Sequence, residues 1–126
     1  MARLVHFDVS ADDPERAARF YRDALGWEFQ KWEGPMDYWL VTTGPDSEPG
    51  INGGLAPRDG SFGGGPGGFT CTLDVPDLDA AVARVEAAGG KITVPKMAVP
   101  GVGWLVYAND TEGNTFGMMQ NDPSAA

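Results

Sequence analysis

Between Leu4 and Phe29 two hydrophobic periods follow one another directly, and together they leave little freedom for the local fold. Val5, Phe7 and Val9 alternate with His6 and Asp8, the two-residue period of a strand with one dry face and one polar face. Asp13 followed by Pro14 is an N-cap and first-turn pair. Ala17, Phe20, Tyr21, Ala24 and Leu25 then recur at helical spacing until Gly26 supplies a stop. This stripe is expected to pack on Val5, Phe7 and Val9, which turns His6 and Asp8 to the opposite side of the sheet.

The same strand-then-helix order returns in the second half. Phe69, Cys71, Leu73 and Val75 alternate with Thr70, Thr72 and Asp74, and Asp77 opens a helix whose stripe is Leu78, Ala81, Val82, Val85 and Ala88. Each helix is followed by three strand candidates: Trp27 to Trp32, Asp37 to Thr43 and Ile51 to Leu55 in the first half, then Lys91 to Val94, Gly103 to Tyr107 and Thr115 to Gln120. Pro95, Pro100 and the run Asn109 to Asn114 are assigned to turns. The predicted organisation is one α+β domain over residues 1–126. It holds a βαβββ module at about 1–57, a Gly-rich linker at about 58–66, a second module at about 67–120, and a polar tail at 121–126 expected to be disordered.

Charge narrows the partners. Eighteen acidic residues against nine basic ones give a formal charge of −9, which argues against nucleic acid and anionic membrane surfaces but tolerates a neutral or cationic small molecule. Cys71 is the only cysteine, and no apolar run approaches a signal peptide or a membrane span, so a cytoplasmic location is expected. Cys71 shares the dry face with Phe69 and Leu73 and is expected to be an inert core thiol. The run Gly63 to Gly68 has the glycine of a phosphate loop without its Lys-Ser/Thr pair, and is assigned to the linker.

Two βαβββ modules, with DDPERAARFYRDALGW in the first and VPGVGWLVYANDTEGNTFGMMQ in the second, resemble the vicinal-oxygen-chelate superfamily of glyoxalase I, extradiol dioxygenases and bleomycin resistance proteins, and within it the lactoylglutathione-lyase-related subgroup. The resemblance implies a glyoxalase-like pair of half-barrels, usually completed as a homodimer, whose polar faces line a cavity that often holds a divalent metal. It places one ligand on the first and one on the last strand of each module. His6 matches the first position. The others fall on Thr70, on Gly117, and within Ile51 to Leu55, where Asn52 is the only polar side chain, so no metal and no other cofactor is expected.

The site is therefore expected on the polar face, at His6, Asp8, Thr70, Thr72 and Asp74, with Trp39 and Trp104 as stacking surfaces for a small organic ligand. The four tryptophans of the chain are as readily core fillers. His6 is the one candidate catalytic residue, a general base if it has a substrate and a hydrogen-bonded cavity wall if it has none. The preferred expectation is metal-free binding of a small organic molecule. The alternative is a lyase, isomerase or dioxygenase acting on a small oxygenated metabolite, with His6 as metal ligand or base.

Overall fold

The computed structural model describes residues 2–58 and 68–126, so most of the Gly-rich linker lies outside the described residues. The chain is α+β, with two βαβββ modules. It divides into two compact units, one built on His6–Thr70 and the other on Cys71–Ala126 with the opening residues of the first strand. Among the described residues no helix is long and apolar enough to cross a membrane.

In the first unit β1 (Arg3–Ala11) pairs in parallel with β4 (Gly53–Pro57), and β4, β3 (Trp39–Thr42) and β2 (Glu28–Lys31) continue as an antiparallel meander. Helix α1 (Pro14–Leu25) starts as expected: Asp13 accepts a hydrogen bond from the Arg16 amide, and Gly26 closes it in the left-handed region at φ 75°. The core beneath it is Phe7, Val9, Ala11, Ala18, Val41 and Leu55, with Ala17, Tyr21, Trp27, Phe29 and Trp39 packed around it. Leu55 is completely buried, a burial worth roughly 1.5–3 kcal/mol.

Three expectations fail here. Val5 is 48% exposed, and the face that meets the helix runs instead through Phe7, Val9 and Ala11. Phe20 and Leu25 are likewise 62% and 57% exposed. The helix is turned so that Ala17 and Ala18 approach the sheet and the Tyr21 ring, stacked on Trp27 with centroids 4.9 Å apart, covers the remainder. Small residues permit a close approach that the phenyl ring of Phe20 would prevent. Strand β4 also begins two residues later than expected. A Cβ at Gly53 would lie 2.7 Å from the Phe7 ring, so packing requires glycine there.

In the second unit β5 (Phe69–Asp74) pairs in parallel with β8 (Thr115–Asn121), followed by β7 (Gly103–Asn109) and β6 (Lys91–Val99) in antiparallel order. Helix α2 (Leu78–Ala87) is capped by Asp77 and buries Leu78 and Ala81 against Val75, Val106 and Met118. Its predicted stripe is the observed one up to Val85, whereas Ala88 caps the helix and is exposed. Phe69 is 52% exposed, and Cys71 is half-buried instead of a core thiol. Strand β6 runs through Pro95, where the sequence predicts a turn. Register shifts on either side of Val94 absorb the missing amide, as an edge strand allows.

The C-terminal residues are not a disordered tail. The Gly101 amide donates to the Ala125 carbonyl at 2.9 Å, Trp104 Nε1 donates to Asp122 at 3.0 Å, and Ala125 is buried. Hydrogen bonds from Ser124 and then from Trp104 hold the Asp122 carboxyl below its ordinary value. A depressed carboxylate stabilises the fold above the ordinary aspartate pKa, and that contribution is lost as pH falls through the folded value. The Trp104 indole N–H resonance is therefore expected to shift only below the ordinary aspartate range and to lose that acid transition in Asp122→Asn. An unchanged transition in the variant would show that Asp122 does not govern the docking of this segment.

Candidate functional site

Register decides which side chains share a face of the first sheet. Asp8 lies opposite Gly54, and Gly54 opposite Leu40; one residue along, Val9 lies opposite Leu55 and Leu55 opposite Trp39. Val9 and Leu55 belong to the core under α1, so His6, Asp8, Gly54 and Leu40 lie on the other face, as the alternation in β1 predicted.

On that face three side chains meet. Asp8 is 3% exposed, and its Oδ1 accepts a hydrogen bond from the Tyr38 hydroxyl and lies 3.1 Å from His6 Nε2. His6 Nε2 is also 3.0 Å from the Tyr38 oxygen. Tyr38, at 4% exposure, is as buried as Asp8, whereas the His6 side chain is 35% exposed. A buried carboxylate is costly unless strong donors reach it, and a phenol and an imidazole N–H are two such donors. With Nε2–H donating to Asp8, the second ring nitrogen of His6 carries the lone pair. The buried pair thus fixes the orientation of a partly exposed imidazole, an arrangement suited to accepting a proton or a hydrogen bond from a small molecule.

Gly54 makes this cluster possible. A Cβ at that position would fall inside the hydroxyl and ring of Tyr38 and 2.6 Å from Asp8 Oδ1. The second unit has a counterpart, because Thr72 lies opposite Gly117 as Asp8 lies opposite Gly54. A Cβ on Gly117 would come within 2.8 Å of Thr72 Oγ1 and 3.2 Å of the Tyr107 ring. A tyrosine thus crowds the last-strand position of each module.

These contacts bear on the metal that the resemblance implied. Among the described residues no group of three His, Cys, Asp or Glu side chains could hold a metal ion. His6 is the only imidazole in the chain. Asp8 is already engaged by Tyr38, and the last-strand positions are glycines with no room for a carboxylate. This donor set does not fit a divalent transition metal, which needs about three or four protein ligands.

The other candidate residues of the polar face lie on one strand, β5. Thr70 and Thr72 are buried, and Asp74 is half-buried with Asn121 Nδ2 at 3.4 Å. The two tryptophans expected to stack on a ligand are elsewhere. Trp39 packs in the core under α1, with Lys31 Nζ 4.6 Å above its ring, on the face opposite His6. Trp104 packs in the core under α2, bonded to Asp122, with Lys96 Nζ at 5.3 Å. Both belong to the helix-facing rows, which strand alternation alone could not establish across separate strands. Tyr38 lies within the strand expected over Asp37 to Thr43 but just before the observed β3, and alternation within that strand could not tie its face to that of His6 without the register.

Comparison with known proteins agrees with this architecture. A family model described as Glyoxalase/Bleomycin resistance protein/Dioxygenase superfamily matches residues 3–118. A glyoxylase-like domain-containing protein of Didymella fabae is 31% identical over 116 residues, covering 86% of this chain and 85% of that protein. A glyoxylase-type protein of Mycobacterium bovis is 27% identical over 95% of this chain, which spans only 44% of that relative's length. Among solved structures, methylmalonyl-CoA epimerase from Mycobacterium tuberculosis superposes with a TM-score of 0.68 at 21% identity, covering 95% of this chain and 88% of the epimerase. A hypothetical protein from Bacillus halodurans superposes with a TM-score of 0.70 at 12% identity, covering 99% of this chain and 98% of its own.

Proposed function

This chain belongs to the Glyoxalase/Bleomycin resistance protein/Dioxygenase superfamily, and we propose that within it the chain binds a small oxygenated organic molecule without a metal, at the face carrying His6, Asp8 and Tyr38. The observation that carries this proposal is a partly exposed imidazole oriented by a buried carboxylate and phenol. The free ring nitrogen of His6 meets a ligand hydroxyl, or its protonated form a carbonyl, while Leu40 on the same face, 42% exposed, offers apolar contact. The overall charge of −9 favours neutral or cationic ligands. The proposed site is confined to the first unit.

A screen of small neutral and cationic oxygenated compounds, read by NMR at His6, tests this. His6→Ala is expected to weaken hits about tenfold, the worth of one well-placed hydrogen bond. If hits bind the variant as tightly as wild type, ligand recognition does not run through His6.

A second function is favoured by the same Asp8–His6 pair, since a carboxylate-oriented imidazole is also the geometry of a general base. It would remove a proton from carbon beside a carbonyl, and solvent deuterium would then enter bound hits at that carbon. Incorporation abolished in His6→Ala would establish an enzyme; no incorporation into any hit leaves a binding protein. The epimerase likeness does not decide between the two, because at this identity it speaks for the fold alone. Pairing of two copies belongs to the same proposal, supported by the exposed Phe20 and Leu25. A single-chain mass by light scattering at micromolar concentration would remove it.

A further inference from the structure

On the opposite face of the first sheet, a hollow of about 260 Å³ opens between α1 and the β2–β3 hairpin. Ala18, Phe29 and Trp39 are among the residues that line it. Arg19, Arg22 and Lys31 converge on it, three of only nine basic residues in a chain of net charge −9. We propose that this hollow is a second binding site, separate from the His6 face, for a small organic oxyanion with a planar apolar body, a carboxylate or a phosphate ester.

The charges around the hollow are not all free. Lys31 pairs with Asp37 at 3.1 Å, and Glu15 stands on the rim. Among the described residues, however, no carboxylate is in ion-pair contact with Arg19 or Arg22. Arg22 lies in the last turn of α1 and so meets the negative end of the helix. That accounts for Arg22, as Asp37 does for Lys31, and leaves Arg19 without an ion-pair partner among the described residues. Two guanidinium groups one helical turn apart offer planar, two-point donors to an oxyanion, which suits carboxylate and phosphate alike. The aromatic walls already carry cations, with Lys31 above Trp39 and Arg22 Cζ 6.0 Å from the Phe29 centroid. A planar apolar body can slide between rings and cations while its anionic end faces the arginines.

Titration with phenyl phosphate, benzoate and inorganic phosphate, followed at the Trp39 indole N–H by NMR, tests the site and separates the two sources of oxyanion. Saturable shifts are expected with phenyl phosphate or benzoate, stronger at low salt, and weaker with inorganic phosphate, which lacks the planar body. Arg19→Gln and Arg22→Gln keep helix propensity at exposed positions and are each expected to weaken binding about tenfold. His6→Ala is expected to leave it unchanged, so failure at this hollow and failure at the His6 face are distinguishable. No saturable shift with either organic anion up to roughly 10 mM overturns the proposal. So does affinity that survives in both arginine variants, or inorganic phosphate binding as tightly as phenyl phosphate.

Discussion

Gly54→Val is expected to destabilise the protein by about 3–5 kcal/mol, a large share of the roughly 5–15 kcal/mol that holds a small domain together. The added side chain must occupy the space of the Tyr38 hydroxyl, and its Cβ would stand 2.6 Å from Asp8 Oδ1. Neither neighbour can yield cheaply, since both are almost fully buried and bonded to one another. Overpacking accounts for about 1–3 kcal/mol, and loss of a hydrogen bond to a buried carboxylate for about 1.5–3 more. Thermal unfolding is expected to move down by more than about 10 °C. The mechanism has its own signature: Gly54→Val combined with Tyr38→Ala should be less damaging than the sum of the two changes by at least ~1 kcal/mol, because the second makes room for the first. Strict additivity would show that the cost at Gly54 arises elsewhere.

Asp8→Ala is the second large effect, about 2–4 kcal/mol by urea unfolding. It takes the carboxylate acceptor from a buried phenol and removes the group that orients His6. Asp8→Asn keeps the shape and one acceptor oxygen and is expected to cost only about 1 kcal/mol. Ligand binding should fall with the alanine even under conditions where the variant is fully folded, since the imidazole is then free to rotate. Equal losses of stability for Ala and Asn would mean that the negative charge, and not the acceptor geometry, is what the fold uses.

How much of this was legible in advance differs element by element. The alternation in β1 correctly separated His6 and Asp8 from Phe7 and Val9, because a two-residue period within one strand is local and needs no knowledge of neighbours. The caps at Asp13, Gly26 and Asp77 were legible for the same reason. What failed was non-local. Phe20 and Leu25 fit a helical period as well as Ala17 and Tyr21 do, and only the close approach allowed by Ala17 and Ala18 chooses between two rotations of the helix. Trp39 and Trp104 could not be assigned to a face until register tied β3 to β4 and β7 to β8. Tyr38 became visible only through the space above Gly54, a contact between residues far apart in sequence. Pro95 and the C-terminal residues followed ordinary turn and tail chemistry locally, and edge-strand bulging and the Trp104–Asp122 bond outweighed it.

The most direct test is ligand binding to protein dialysed against a strong chelator, measured by calorimetry before and after addition of one equivalent of Zn²⁺, Ni²⁺ or Mn²⁺. Metal-free recognition at His6, Asp8 and Tyr38 predicts the same affinity with and without metal, and no heat of tight metal binding. Ligand binding that appears only after metal is added, at one ion per chain and lost in His6→Ala, would contradict it and restore a metal centre to this fold.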